Sequence, residues 1–201
     1  MTLSLGTPTT ATGLDTLSDC IDFKVIPLTT DKAGYLYYNN TGGYNAARVV
    51  TSSGTTISAI GAEANIIGAI GSDICIATLS TSSFVVVYEG TGNTGIRAKA
   101  CTVSGTTISV GSETVLYNPG GSVIGTSDDL FACRVDTNKG MTVFGDDTNS
   151  AFGTAIAFTV SGTTISAGSV HVFTSIGMAN PGADEFYGSS THVLVTYINS
   201  T

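Results

Sequence analysis

The sequence predicts an all-β fold assembled from repeats, and three observations carry that prediction. The word Ser-Gly-Thr-Thr-Ile-Ser stands at Ser53–Ser58, Ser104–Ser109 and Ser161–Ser166. The opening residues Met1-Thr2-Leu3-Ser4-Leu5-Gly6 align with Thr106-Thr107-Ile108-Ser109-Val110-Gly111 as a worn fourth copy, and a recurring period is the mark of a repeat architecture. Composition agrees: 25 glycines, many Ser, Thr, Val and Ile, and only 11% charged residues in 201 favour strands and turns over helices.

Each word sits between strand-like runs. Ala98–Val103 leads into Ser104-Gly105, and Thr106–Val110 leads away. Ser104-Gly105 is therefore expected at a tight hairpin turn, where Gly supplies positive φ. Ser53-Gly54 and Ser161-Gly162 repeat the geometry. Ala47, Ala98 and Ala155 stand six residues before each word, and Thr51, Thr102 and Thr159 two before. Small residues at fixed places suggest close stacking of one sheet on the next.

Ahead of each hairpin lies an apolar strand: Tyr35–Tyr38, Phe84–Tyr88, Met141–Phe144 and His192–Tyr197. Phe84-Val85-Val86-Val87-Tyr88 does not alternate, which predicts burial on both faces. Before these, a Ser-Asp pair opens another strand: Ser18-Asp19 before Cys20–Val25, Ser72-Asp73 before Ile74–Leu79, and Ser127-Asp128 before Leu130–Val135. Each unit thus has four strands, a to d.

The words begin 51 and 57 residues apart. About 50 residues per four-stranded unit matches a propeller blade. The expected fold is an antiparallel β-propeller of about four blades forming a single domain over 1–201, with units at 17–68, 72–118, 125–174, and 183–201 together with 1–10. The last blade is then built from both termini, its strand a placed at Ala183–Gly188, which removes open sheet edges. A β-solenoid and a propeller completed by a neighbouring chain are the alternatives.

The net charge of −8, with seven Lys and Arg, argues against nucleic-acid binding, which needs clustered cations. Residues 1–19 lack a basic start and a continuous apolar segment, so no secretory signal is expected. Ala59–Leu79, the most apolar window, is broken by Glu63, Asn65, Ser72 and Asp73, and no membrane insertion is expected. Cys20, Cys75, Cys101 and Cys133 show no metal-ligand spacing and read as buried thiols, with a disulfide as the alternative.

Catalytic groups are sparse. His171 and His192 both fall in predicted strands, and no nucleophile elbow, P-loop or dinucleotide fingerprint occurs. No cofactor is expected, and the chain reads as a non-enzyme. A small hydrolase would have to draw on Asp15, Asp73, Asp128 and Asp129. Asp136-Thr137-Asn138-Lys139-Gly140 and Gly145-Asp146-Asp147-Thr148-Asn149 hold oxygen ligands that suit a hard cation, but Asp, Asn and Gly are also the ordinary material of turns, and no metal is assigned. Tyr35, Tyr37, Tyr38 and Tyr44 crowd one hairpin and are the candidate binding residues, for a sugar ring or a protein partner; packing between blades would use the same residues.

The repeats resemble a family of propeller-like repeats in virion proteins of bacteriophages, marine ones included. In that family a strand leads into a Val-Ser-Gly-Thr-x-Ile-Ser turn followed by Gly-Ser-x-x-Val. Val103–Ser109 and Gly111–Val115 match this pattern, and Val160–Ser166 with Gly168–Val172 match in part. The first copy departs at Ser52 and carries an extra residue, Ile60. The resemblance covers most of residues 1–174 and implies location in the virion and a tail-fibre, knob or capsid-decorating role. It transfers no catalytic residue. The expected partners are other capsid or tail proteins, further copies of the chain, or a cell-surface glycan; a free lectin-like propeller is the alternative function.

Overall fold

The computed structural model describes residues 20–54, 56–68, 72–92, 95–121, 123–124, 130–185 and 192–199. The fold is all-β, and the described residues contain no α-helix, only a short 3-10 turn at Asp147–Asn149. The strands form three antiparallel five-stranded sheets, none of them closed. The worn copy at Met1–Gly6 and the Ser-Asp pairs at Ser18-Asp19 and Ser127-Asp128 lie outside the described residues.

The first sheet holds β1 (Cys20–Thr29), β2 (Lys32–Asn39) and β3 (Tyr44–Ser53), with β4 (Thr56–Ile60) and β5 (Ala64–Ile67) both pairing β3. The second repeats this plan with β6 (Ser72–Ser80), β7 (Ser83–Glu89), β8 (Ile96–Ser104), and β9 (Thr107–Val110) and β10 (Thr114–Tyr117), both on β8. The third runs β11 (Leu130–Asp136), β12 (Lys139–Asp146), β13 (Phe152–Ser161), β14 (Thr164–Glu185) and β15 (Val193–Asn199). Strands a, b and c of the sequence reading are thus present three times.

Local chemistry repeats with the strands. Every a–b connection is a two-residue loop beginning with threonine: Thr30-Asp31, Thr81-Ser82 and Thr137-Asn138. Short polar side chains close such turns; Asp31 accepts from Thr29 Oγ1 at 2.6 Å, and Asp136 from the Thr137 amide at 2.7 Å.

The repeat word makes the c–d turn, shifted by one residue from the expected centre. Ser161 pairs with Thr164, so the two loop residues are Gly162-Thr163 rather than Ser-Gly, and Ser53 pairs with Thr56 in the same register. Gly54, Gly105 and Gly162 have φ of 60°, 61° and 59°. Positive φ at the first loop position followed by an ordinary residue is the type II′ pattern, whose twist suits a hairpin. A Cβ at Gly105 would meet nothing within 4 Å, so conformation alone requires glycine there. Gly105→Val is expected to lower stability by about 1–2 kcal/mol, and Ser104→Ala by much less. Equal, small shifts in two melting curves would contradict the turn.

Strand d differs most from expectation. It is split in the first two sheets, at Gly61-Ala62-Glu63 and Gly111-Ser112-Glu113, whereas in the third it runs unbroken through Gly168-Ser169-Val170. Beyond Gly177, β14 leaves β13 and pairs β15 through Met178–Glu185. The separate strand expected at Ala183–Gly188 is thus, as far as Glu185, the end of β14, and β15 pairs it as the fifth strand of the third sheet.

Two compact units are distinguished: Met1–Ile70 with Val103–Ser109, and Gly71–Thr102 with Val110–Thr201. In the second unit, Val85, Val87, Ile96 and Ala98 pack with Leu130, Ala132, Phe144, Ile156 and Phe158 in one core. A smaller cluster joins Ala183, Val193 and Val195 to Cys133, Val143 and Phe173. Phe84 through Tyr88 are all buried, as their unbroken apolar run predicts. Cys75, Cys101 and Cys133 are buried, and burial pushes the Cys101 thiol up to about 12.

Candidate functional site

The four candidate tyrosines divide by strand alternation. Tyr35 and Tyr37 share one face of β2 with ring centroids 5.6 Å apart, and both are buried. Tyr44, at the start of β3, is half-buried and packs against the same cluster. Tyr38, also half-buried, alternates to the other face. A flat ligand would therefore find partial exposure only at Tyr38 and Tyr44 among the four.

What gathers Tyr37 and Tyr44 is a residue the sequence reading passed over, Glu63, in the break between β4 and β5. Its carboxylate accepts from the hydroxyls of Tyr37 and Tyr44 and from Asn39 Nδ2 at 3.4 Å. Arg48 lies 3.5 Å from it and also donates to the Tyr37 hydroxyl at 3.3 Å. Asn39 in turn caps its hairpin, accepting from the Gly42 amide at 2.8 Å. Burial pushes the Glu63 carboxyl up, but the two tyrosine hydroxyls and Arg48 together outweigh it and hold it below the ordinary carboxylate range. Burial, then the hydrogen bond to Glu63, push the Tyr37 phenol well above its ordinary value.

The second sheet builds the same device. Glu113 accepts from the Tyr88 hydroxyl at 2.5 Å and pairs with Arg97. Its carboxyl is pushed up by burial and pulled below the usual range by Tyr88 and Arg97. Tyr88 is raised by burial and by Glu113.

The third copy has neither member. By pairing with strand c, Tyr37 and Tyr88, opposite Ala46 and Arg97, correspond to Phe144, opposite Thr154; counted from the repeat word, and allowing for the extra Ile60, Glu63 and Glu113 correspond to Val170. Hydroxyl and carboxylate are absent together, and strand d is unbroken there. The kink at Gly-x-Glu turns the acid back toward strand b, so without a tyrosine to meet it the strand has no reason to break.

These carboxylates are poor proton donors at neutral pH, and several donors already engage their lone pairs. Their chemistry is to lock strand d onto strand b. Because their folded pKa lies below the unfolded value of about 4.3, the stability they contribute is present above that pH and lost as pH falls below it. A Glu63→Gln/Glu113→Gln variant should thus lose less melting temperature than the parent between pH 7 and pH 3. Identical acid losses would argue that the network contributes nothing.

Other candidate groups stand apart. Asp146 is buried and accepts from the Tyr117 hydroxyl at 2.7 Å, from the Thr148 amide at 3.1 Å and from Thr148 Oγ1 at 2.6 Å. It closes the turn over Asp147–Asn149, as Asp136 closes its own. No group of three His, Cys, Asp or Glu side chains gathers for a metal among the described residues. His171 lies exposed on β14, and His192 lies exposed just ahead of β15 rather than within a strand. Asp73, half-buried, sits at positive φ in an irregular stretch of β6, while Asp15, Asp128 and Asp129 lie outside the described residues.

No family model, curated protein or solved structure matches this chain.

Proposed function

We propose that this protein is a non-enzymatic structural or adhesive component of a phage particle, located in the virion, which holds other capsid or tail proteins or further copies of itself. The observation that carries this reading is the division of labour among its side chains. The Tyr-Glu-Arg groups of the first two sheets are engaged in locking strands, while apolar side chains stand exposed on the last sheet. Val170, Val172 and Ile176 on β14, with Leu194, Tyr197 and Ile198 on β15, are all exposed, and exposed apolar side chains are what an interaction surface draws on. The tail-fibre or capsid-decorating role follows from the resemblance of the repeat wording.

The finer architecture that fits this role is a single-domain β-propeller of about four blades. Three sheets supply whole blades, and the pairing of β14 with β15 begins a fourth. Its remaining strand comes from residues 1–10 of the same chain or from a neighbouring chain. Deleting Met1–Thr9 separates the two sources: a lowered melting temperature at unchanged mass supports closure from within.

The second reading, a free carbohydrate-binding propeller, is favoured by Tyr38 and Tyr44 standing half-exposed beside Asn39. Sedimentation of the protein alone and with a shell or tail protein from the same source tests the first reading. A strict monomer that binds no particle protein but is retained on a glycan array would overturn it in favour of the second. Hydrolysis abolished by removing one carboxylate would overturn both.

A further inference from the structure

In the first unit, the glycine that follows the first word receives the turn of the second. A Cβ on Gly61 would lie 2.0 Å from the Thr106 carbonyl oxygen. In the second unit the same relation recurs, with Gly111 set 2.0 Å from the Thr163 carbonyl oxygen by the same measure. Each glycine is anchored alike, its amide donating to Val49 O at 2.8 Å or Ala100 O at 2.9 Å. A turn word is thus a plug, and the glycine after the preceding word is its seat.

Two places in this series are unfilled among the described residues. Gly168, the third seat, is exposed, whereas Gly61 is buried and Gly111 half-buried. Its neighbours Val170 and Val172 are 42% and 44% exposed. At the other end stands the first word. Ile108 and Ile165, in the seated words, are 9% and 6% exposed, but the matching Ile57 is 38% exposed. The chain therefore presents a free plug and a free seat of the kind it joins twice internally.

We infer that Gly168 with Val170 and Val172 is the docking site for the Ser53–Ser58 hairpin of a second copy of this chain, giving a head-to-tail contact. This rests on the assembly reading above and takes the neighbouring chain as the source of completion. A contact between two different patches repeats into a ring or a filament. Recognition is by close approach of the turn to a residue without a side chain, and by burial of Ile57 and Val170.

The test is sedimentation velocity on the whole protein over a range of concentrations. Ile57→Lys spoils the plug, Val170→Lys spoils the seat, and Gly168→Ala spoils the seat by a second route; circular dichroism and melting check folding. The parent should form species beyond dimers, and each variant alone should associate at least about tenfold more weakly. An equimolar mixture of Ile57→Lys and Val170→Lys retains one good plug and one good seat, so it should give a one-to-one dimer and nothing larger. A mixture that stays monomeric, or variants that assemble like the parent, would overturn the inference, the latter leaving the assembly reading intact. A parent that neither self-associates nor binds a shell or tail protein removes both. A monomeric parent destabilised by Val170→Lys and by deleting Met1–Gly6 would give the seat to the chain's own first residues.

Discussion

Replacing Glu89 with alanine is expected to lower the melting temperature by roughly 5–10 °C. Glu89 ends β7 and is 1% exposed, and its Oε1 accepts the amides of Val123 at 3.0 Å and Ile124 at 3.1 Å. A buried donor that loses its acceptor costs about 1–3 kcal/mol, and here one truncation removes the acceptor of two. The effect reaches further, because this clip holds the Val123-Ile124 segment, whose side chains belong to the main core of the second unit. The Val123 carbonyl then accepts from the Asp147 amide at 2.9 Å, so the clip also steadies the turn after β12. For a chain of this length each kcal/mol shifts the melting temperature by about 2–4 °C. Glu89→Gln keeps the acceptor oxygen and should lose well under half as much. Thermal melts of the three proteins decide it: an alanine variant melting within 2 °C of the parent would show that the carboxylate does not hold this segment.

The parts of the fold legible in the sequence were those governed by neighbours along the chain. The turn glycines Gly54, Gly105 and Gly162 are such a case, since a two-residue hairpin loop restricts φ whatever lies beyond it. The burial of Phe84–Tyr88 is another, because five unbroken apolar residues leave no polar face. The shift of the turn centre from Ser-Gly to Gly-Thr lies within what composition distinguishes poorly, as Ser and Thr both suit turns.

What escaped the sequence reading depended on distant pairs. Glu63 reaches Tyr37 across 26 positions and Glu113 reaches Tyr88 across 25. An acid two residues after a glycine looks like ordinary solvated surface until the strand with its tyrosine is laid beside it. One signal was present in the repeats themselves: Gly-x-Glu occurs where strand b carries Tyr, and Gly-Ser-Val where it carries Phe144. The same blindness explains the tyrosines. Alternation alone separates Tyr35 and Tyr37 from Tyr38, but it does not say which face is covered, and the buried face holds two of the four candidate binding tyrosines, Tyr35 and Tyr37. The length of β14 is hidden in the sequence because Pro and Gly ordinarily interrupt a strand, yet Pro181 and Gly182 fall at a register shift where β14 has passed from β13 to β15.

Gly111→Ala is expected to be more damaging than any turn-glycine substitution, by about 3 kcal/mol or more. Gly111 does not sit at positive φ, so an alanine could adopt its backbone conformation without strain. The obstacle is space. The added methyl would lie 2.0 Å from the Thr163 carbonyl oxygen, 2.9 Å from Thr163 Cβ and 3.0 Å from the Ala100 carbonyl oxygen. Backbone atoms form most of this wall, and they cannot swing aside as the end of a long side chain can. Inserting one methyl into a tight site ordinarily costs 1–3 kcal/mol; here relief requires the β13–β14 turn to retreat by more than about 1 Å, an ordinary contact being about 3.5 Å. That retreat would also expose Ile165, the isoleucine of the seated word. Gly61→Ala repeats the experiment in the first unit, where the obstacle is the Thr106 carbonyl oxygen at the same 2.0 Å. Gly168→Ala supplies the contrast, since its nearest obstacle is the Ala157 oxygen at 2.7 Å, within its own hairpin. The expected order of stability loss is Gly111 and Gly61 together, then Gly168. Denaturant melts of the three variants measure it, and a Gly111→Ala protein as stable as Gly168→Ala would mean that no turn is seated on that glycine.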